Sequence, residues 1–225
     1  MDAQFWHDKW ARMEIGFHLA DANPWLVKHW SRLALANEAR VLVPLCGKSF
    51  DLLWLRRQGH AVVGIELSEL ALDELAALFH EQLGITLKKF AVGDAWRYEG
   101  DGVTLIAGDF FQVMATDIGP IDAVYDRAAL VALPSSMRAD YCQHLLTISG
   151  CAPQLLISFD YQQALMAGPP FAVLHDELIA HYGAHYVLQL LEQRDLIEQE
   201  EKFRERGLSS FVQTAYALAP ALTAK

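Results

Sequence analysis

The chain has 225 residues, 53% of them apolar and 20% charged, with a formal net charge of −10. That size and balance predict one globular domain over 1–225 and exclude a disordered chain. The acidic balance opposes a DNA or RNA partner, whose recognition rests on basic surface, and no apolar run reaches the roughly 18 residues of a membrane span.

The opening stretch MDAQFWHDKWARME lacks the basic start and apolar core of a signal peptide. Cys46, Cys142 and Cys151 are few and far apart, which fits a reduced, cytoplasmic setting and no disulfide framework. Residues 1–38 read as a helical N-terminal extension covering the site. In it Trp6, Trp10 and Phe17 would stripe one helical face, as core or as a lid over a flat ring. Asn23-Pro24 is a helix start, and Trp25, Leu26, His29, Trp30 and Leu33 share one face behind it. The run 40–44 predicts a buried strand and 49–58 a helix with Phe50, Leu53, Trp54 and Arg57 on one side, closed at Gly59. Residues 61–67 predict a second strand, and Ser68 caps a helix over 69–83 that ends at Gly84.

Residues 86–107 read as a strand and then a hairpin turning at Glu99-Gly100-Asp101-Gly102. The run 121–125 is a further core strand closed by Asp126-Arg127. A helix over 135–147, a strand over 155–159, a Gly168-Pro169-Pro170 break, a helix over 175–182 and strands near 185–192 and 211–218 complete the chain. Strands alternating with helices predict a doubly wound, mostly parallel α/β sheet. The last two strands predict an antiparallel edge hairpin.

In such sheets ligands sit beyond the carboxyl ends of the strands. After the first strand comes Leu45-Cys46-Gly47-Lys48-Ser49. Nineteen residues past Gly47, at the end of the second strand, stands Glu66. A glycine loop followed by an acid about 20 residues on marks a bound ribose; the alternative is a plain acid at the next helix start. A single glycine, with Pro44 where the first would fall, argues against a pyrophosphate. It favours S-adenosylmethionine (AdoMet) over NAD. Gly47-Lys48-Ser49 imitates the end of a phosphate loop, but Leu42 stands where that motif needs its first glycine. Gly168-Pro169-Pro170-Phe171 reads as a rigid loop. Cys46 reads as a small buried cysteine, and the histidines show no metal-binding spacing.

The segments RVLVPLCGKSFDLLWL (40–55), GHAVVGIELSELAL (59–72) and YDRAALVALP (125–134), with GDFF, ISFDY, GPPF and RERGL, resemble the bacterial thiopurine S-methyltransferases over nearly the whole chain. The resemblance implies a seven-stranded, Rossmann-like class I methyltransferase. It also implies methyl transfer from AdoMet to the sulfur of aromatic and heterocyclic thiols such as thiopurines, and a link to selenium and tellurium detoxification. Residue by residue, it implies that Trp10, Leu45, Glu66, Asp109, Phe110 and Arg127 contact AdoMet. Phe17 and Arg127 would face the acceptor, with Arg127 as the catalytic residue. Lys202 stands where animal members carry a second substrate-side arginine. No metal is implied, and the partner is a small molecule met by a monomer, with no nucleic acid or membrane. The rival readings are a non-catalytic AdoMet- or nucleotide-binding module and an NAD-dependent oxidoreductase.

Overall fold

The protein is described from a computed structural model that covers residues 19–93 and 95–221. Nine strands form one sheet: β1 (Arg40–Pro44), β2 (Ala61–Glu66), β3 (Lys88–Val92), β4 (Ala95–Gly100), β5 (Val103–Ala107), β6 (Ala123–Arg127), β7 (Gln154–Asp160), β8 (Tyr186–Asp195) and β9 (Val212–Pro220). Their order is β3-β4-β5-β2-β1-β6-β7-β9-β8. The central five are parallel, while β9 and β8 add the antiparallel edge hairpin. Those seven match the count of the seven-stranded sheet that the resemblance implies, and the stretch 86–107, read as a strand and a hairpin, supplies two more. The two beyond them, β3 and β4, extend the other edge as an antiparallel pair. Between β4 and β5 the chain turns at Asp101 and Gly102, both at positive φ (37° and 74°), in the hairpin the sequence predicts.

Alternation along the central strands divides the core between the two faces of the sheet. Leu42, Val63, Val124 and Leu156 point to one face, against Ile118 of α4 (Ala115–Ile118), Tyr141 and Leu145 of α5 (Ser135–Ser149) and Tyr182 of α6 (His175–Tyr182). Val41, Val62, Tyr125 and Leu155 point to the other. There they meet Leu26 of α1 (Pro24–His29), Leu52 and Leu55 of α2 (Phe50–Arg57), and Leu75 and Phe79 of α3 (Glu69–Leu83). A strand buried on both faces is apolar along its buried length, which is why 41–44 and 61–65 read as continuous runs. Helix starts follow local chemistry. Asn23, Ser49 and Ser68 each accept backbone N–H groups at an N-cap, and Gly84 closes α3 in the left-handed conformation.

Two readings change in detail. Helix α2 buries Asp51, Leu52, Leu53 and Leu55 and leaves Arg57 exposed, because the sheet meets the side that carries the leucines. Strand β6 runs two residues later than expected, since Asp122 is spent pairing with Arg40: its backbone N–H donates to the Arg40 carbonyl and its carboxylate accepts the Arg40 N–H at 2.7 Å. Asp126 and Arg127 are therefore its last two residues. After β1 the chain moves outward to β2 and β5, then returns to lay β6 on the other side of β1. The carboxyl ends of β1 and β6 thus form the topological switch point, where open α/β sheets bind ligands.

Candidate active site

The loop after β1 is drawn tightly onto β2. The backbone N–H of Cys46 donates to the Ile65 carbonyl at 3.0 Å. A Cβ at Gly64 would lie 2.8 Å from Cys46 Sγ and 2.9 Å from Leu105 Cδ2, so only glycine lets the loop approach. Leu45 sits at φ +46° and Gly47 at +54°. A branched aliphatic residue in the left-handed region is strained, and such strain gathers at functional sites. Burial, with the nearby charge of Glu66, pushes the Cys46 thiol well above its ordinary pKa. It stays protonated and is a poor nucleophile.

Glu66 closes β2 with 6% of its surface exposed. One carboxylate oxygen accepts the Gly47 N–H at 2.9 Å, and the other accepts the Ser68 N–H at 2.9 Å. The carboxylate is thereby fixed in place. Each of its oxygens has a second lone pair, so two neighbouring hydroxyls can be held by the same group.

A cleft of about 350 Å³, continuous with solvent, opens between the ends of β1 and β6; Leu45, Cys46, Lys48, Asp51, Arg127 and Ala128 line it. Ala128 is a second non-glycine residue in the left-handed region, at φ +60°. It turns the chain sharply after Arg127. The Arg127 guanidinium is mostly buried, 4.0 Å from the Asp51 carboxylate. Asp51 also accepts the Asn23 N–H at 2.6 Å and the Tyr125 hydroxyl at 3.1 Å. Burial, followed by the charge of Asp51, holds Tyr125 far above the usual phenol pKa, so it is a donor at all ordinary pH. Lys48, at the loop's end, pairs with Glu74 of α3.

Asp126 points to the opposite face of β6. It is fully buried, accepts the Leu130 N–H at 3.1 Å and the Tyr141 hydroxyl at 2.8 Å, and burial raises its pKa to about 6. Both hydrogen bonds fasten the turn that carries Arg127.

The other predicted residues are placed differently. Asp109 stands exposed just past β5 and caps the short turn Phe110–Gln112, accepting the Phe111 N–H at 3.0 Å. The Phe110 ring is a core ring, 2% exposed and packed against Tyr141 at 5.1 Å. Lys202 belongs to α7 (Glu201–Arg204); it is exposed, paired with Glu200 at 3.3 Å, and not among the residues lining the cleft. Trp10 and Phe17 lie outside the described residues. The 168–171 loop is rigidly held: the Phe171 N–H donates to Val131 O at 2.7 Å and the Tyr161 hydroxyl to Pro170 O at 2.7 Å. A Cβ at Gly168 would meet the Phe171 ring at 2.6 Å. Among the described residues no cluster of three His, Cys, Asp or Glu side chains could hold a metal ion.

Sequence reasoning missed Asp51, Tyr125 and Ala128. Asp51 carries a weak signal, an acid in the first turn of a capped helix, but its partners lie 28 and 74 residues away.

The thiopurine S-methyltransferase (TPMT) family profile matches residues 1–220. A thiopurine S-methyltransferase from Pseudomonas fluorescens (strain SBW25) is 45% identical over 220 residues, 97% of this chain and 99% of that protein. One from Nitrosospira multiformis is 41% identical over 220 residues, 97% of this chain and 98% of that protein. Among solved structures, the chain is similar to a Burkholderia thailandensis 1,6-didemethyltoxoflavin-N1-methyltransferase with bound 1,6-didemethyltoxoflavin and S-adenosylhomocysteine. The TM-score is 0.61 at 14% identity, over 96% of this chain and 86% of that one. At that identity the likeness is one of fold: the Rossmann-like fold of class I methyltransferases.

Proposed function

The chain belongs to the thiopurine S-methyltransferase family, and from that premise we propose that it methylates the sulfur of aromatic and heterocyclic thiols, thiopurines among them. AdoMet is its methyl donor, and the donor set fits it. Glu66 is a carboxylate fixed at the end of β2, a group that accepts ribose hydroxyls, and the loop beside it at the switch point carries a single glycine. Leu45 and Asp109 would lie along the cofactor, Phe110 would back the adenine end from the core, and Trp10 and Phe17 would cover cofactor and acceptor from the N-terminal segment.

When bound, AdoMet supplies a methyl group made electrophilic by its sulfonium. The chain's residues hold, orient and desolvate the reactants. An aromatic thiol is substantially ionised near neutral pH, so its proton can pass to solvent without a dedicated base. The Arg127 cation in the cleft would favour the thiolate, as an opposite charge lowers an acid's pKa. Lys202, exposed and engaged by Glu200, would take no part at this cleft, so the basic contact to the acceptor falls to Arg127. Soft selenium and tellurium anions would profit from the same cation.

The observation that carries this proposal is Arg127 in the cleft, next to a loop set by Glu66. Such a cation serves an acceptor pocket, which a non-catalytic AdoMet-binding module does not need. We propose action as a monomer on a small molecule in a reducing, cytoplasmic setting, supported by three free cysteines and the acidic charge balance. The test is AdoMet turnover with a panel of thiols, a selenol and a tellurium compound. Binding of AdoMet without turnover of any acceptor would leave a binding module only.

A further inference from the structure

Asp51 is a carboxylate that the reaction as described does not use. Its side chain is 2% exposed, and a buried anion persists only where partners compensate its desolvation. Two elements supply them. One oxygen accepts the backbone N–H of Asn23, the cap of α1, at 2.6 Å. The other accepts the Tyr125 hydroxyl at 3.1 Å and lies 4.0 Å from Arg127 Nη1, both from β6.

The last distance decides the role. At 4.0 Å the guanidinium is within ion-pair reach but beyond hydrogen-bond length. A bidentate pair would spend the planar fork of donors on Asp51. Here the carboxylate restrains the cation by charge without a hydrogen bond to it. We propose that Asp51 is the positioning residue of Arg127: it aims the guanidinium into the cleft, tempers its charge, and ties the root of the N-terminal segment to the same point. The proposal rests on the assignment of Arg127 to the acceptor thiolate.

Other charged or titratable groups around this point are accounted for. Lys48 lines the cleft but is engaged by Glu74; Cys46 is held protonated; Asp126 and Glu66 lie on the far face of β6 and at the end of β2. Among the described residues, Asp51 is the anion paired with Arg127.

The experiment compares Asp51→Asn, Tyr125→Phe and Arg127→Ala, following kcat/KM against pH with two thiols of different acidity, alongside thermal unfolding. Asp51→Asn removes the tempering charge and loosens the guanidinium. The plateau of kcat/KM should fall about tenfold, and the acidic limb should move down by about half a pH unit. Tyr125→Phe removes a hydrogen bond to the same oxygen but keeps the charge, so the limb should stay while Tm falls. Limbs that coincide in wild type and Asp51→Asn, or that move equally in Tyr125→Phe, would reduce Asp51 to a structural anchor and overturn the proposal. Should Asp51→Asn fail to fold, Asp51→Glu decides. It keeps the anion but displaces it, so the limb should hold and kcat should drop about tenfold; an unchanged kcat overturns the positioning. If Arg127→Ala keeps the wild-type dependence on thiol acidity, the Arg127 assignment itself fails. That failure shows in that variant alone, and the proposal falls with it.

Discussion

The ends of β2 and β6 hold charge in opposite ways. At the end of β2, Glu66 is gripped by two backbone N–H groups from its own and the neighbouring loop. At the end of β6, Arg127 lies 4.0 Å from the Asp51 carboxylate, and its neighbour Asp126 points to the opposite face. Asp51 is tied to a distant backbone N–H and a phenol. Asp126 is buried deeply enough that its pKa rises to about 6. Backbone donors are obligatory and cheap to enlist, so the β2 end is built locally. The β6 end is assembled from side chains far apart in sequence, and its charges strain against burial. The lesson is that neighbouring strand ends can fix a charge with different materials.

The largest effect should appear at Asp126. Its folded-state pKa of about 6 lies above the ordinary 3.8, so the fold favours the neutral form. The stability this contributes is complete below about pH 4 and lost as pH rises through 6, on the order of 3 kcal/mol for roughly two pKa units. Asp126→Asn should flatten that part of the stability–pH curve, as read by denaturant unfolding from pH 4 to 7. Curves of equal slope for wild type and variant would show that the carboxylate is better solvated than its burial implies.

On the other side of the comparison, Glu66→Ala should weaken AdoMet binding by about 1.5–3 kcal/mol, or about 10- to 150-fold, the range for hydrogen bonds to a charged group. It should also lower Tm, because the Gly47 and Ser68 N–H groups lose their acceptors. Calorimetry on the folded variant separates the two effects. Unchanged affinity would reduce Glu66 to a loop anchor.

Arg127→Ala should lower kcat/KM for thiols by about 10- to 100-fold, or about 1.4–2.8 kcal/mol, with a smaller effect on AdoMet affinity. Arg127→Lys should recover only part, because the planar fork is lost. The deficit should shrink with a more acidic thiol. An equal loss for both thiols, flat in pH, would assign Arg127 to cofactor binding and erase the contrast with Glu66.

The same contrast governs what the sequence could reveal. Strands buried on both faces are legible because every position is apolar, and the loop-to-acid spacing from Gly47 to Glu66 is legible because both partners follow consecutive strands. The antiparallel pairing of β4 with β5 is legible through the turn residues Asp101 and Gly102. Asp51 escaped notice because a helix-start acid is ordinary, and its meeting with Tyr125 depends on β6 returning beside β1. Phe110 was legible as a strand-end residue, but the direction of its ring is set by Tyr141 and His144 across the core.

The smallest effect should come from the outermost support of the β6 end. The Trp30 indole N–H donates to His60 Nε2 at 2.9 Å, which fixes a neutral imidazole with its proton on Nδ1. Trp30 in turn packs edge-to-face on Tyr125, ring centres 6.4 Å apart, and Tyr125 donates to Asp51. Burial, partly offset by the Ala39 backbone, lowers the His60 pKa below its ordinary 6.5. Protonation would remove the acceptor that Trp30 uses, so this contribution is complete above about pH 6.5 and is lost as pH falls below it. Over the same range Asp126 acts with the opposite sign, so wild type alone cannot separate them. His60→Gln can, since its side-chain carbonyl still accepts from the indole without titrating. The difference in unfolding free energy between pH 7 and pH 5.5 should shift toward stabilisation at the lower pH in His60→Gln relative to wild type. Identical differences would mean that Trp30 holds its place by packing alone, and that the path from His60 to Asp51 carries no charge effect to Arg127.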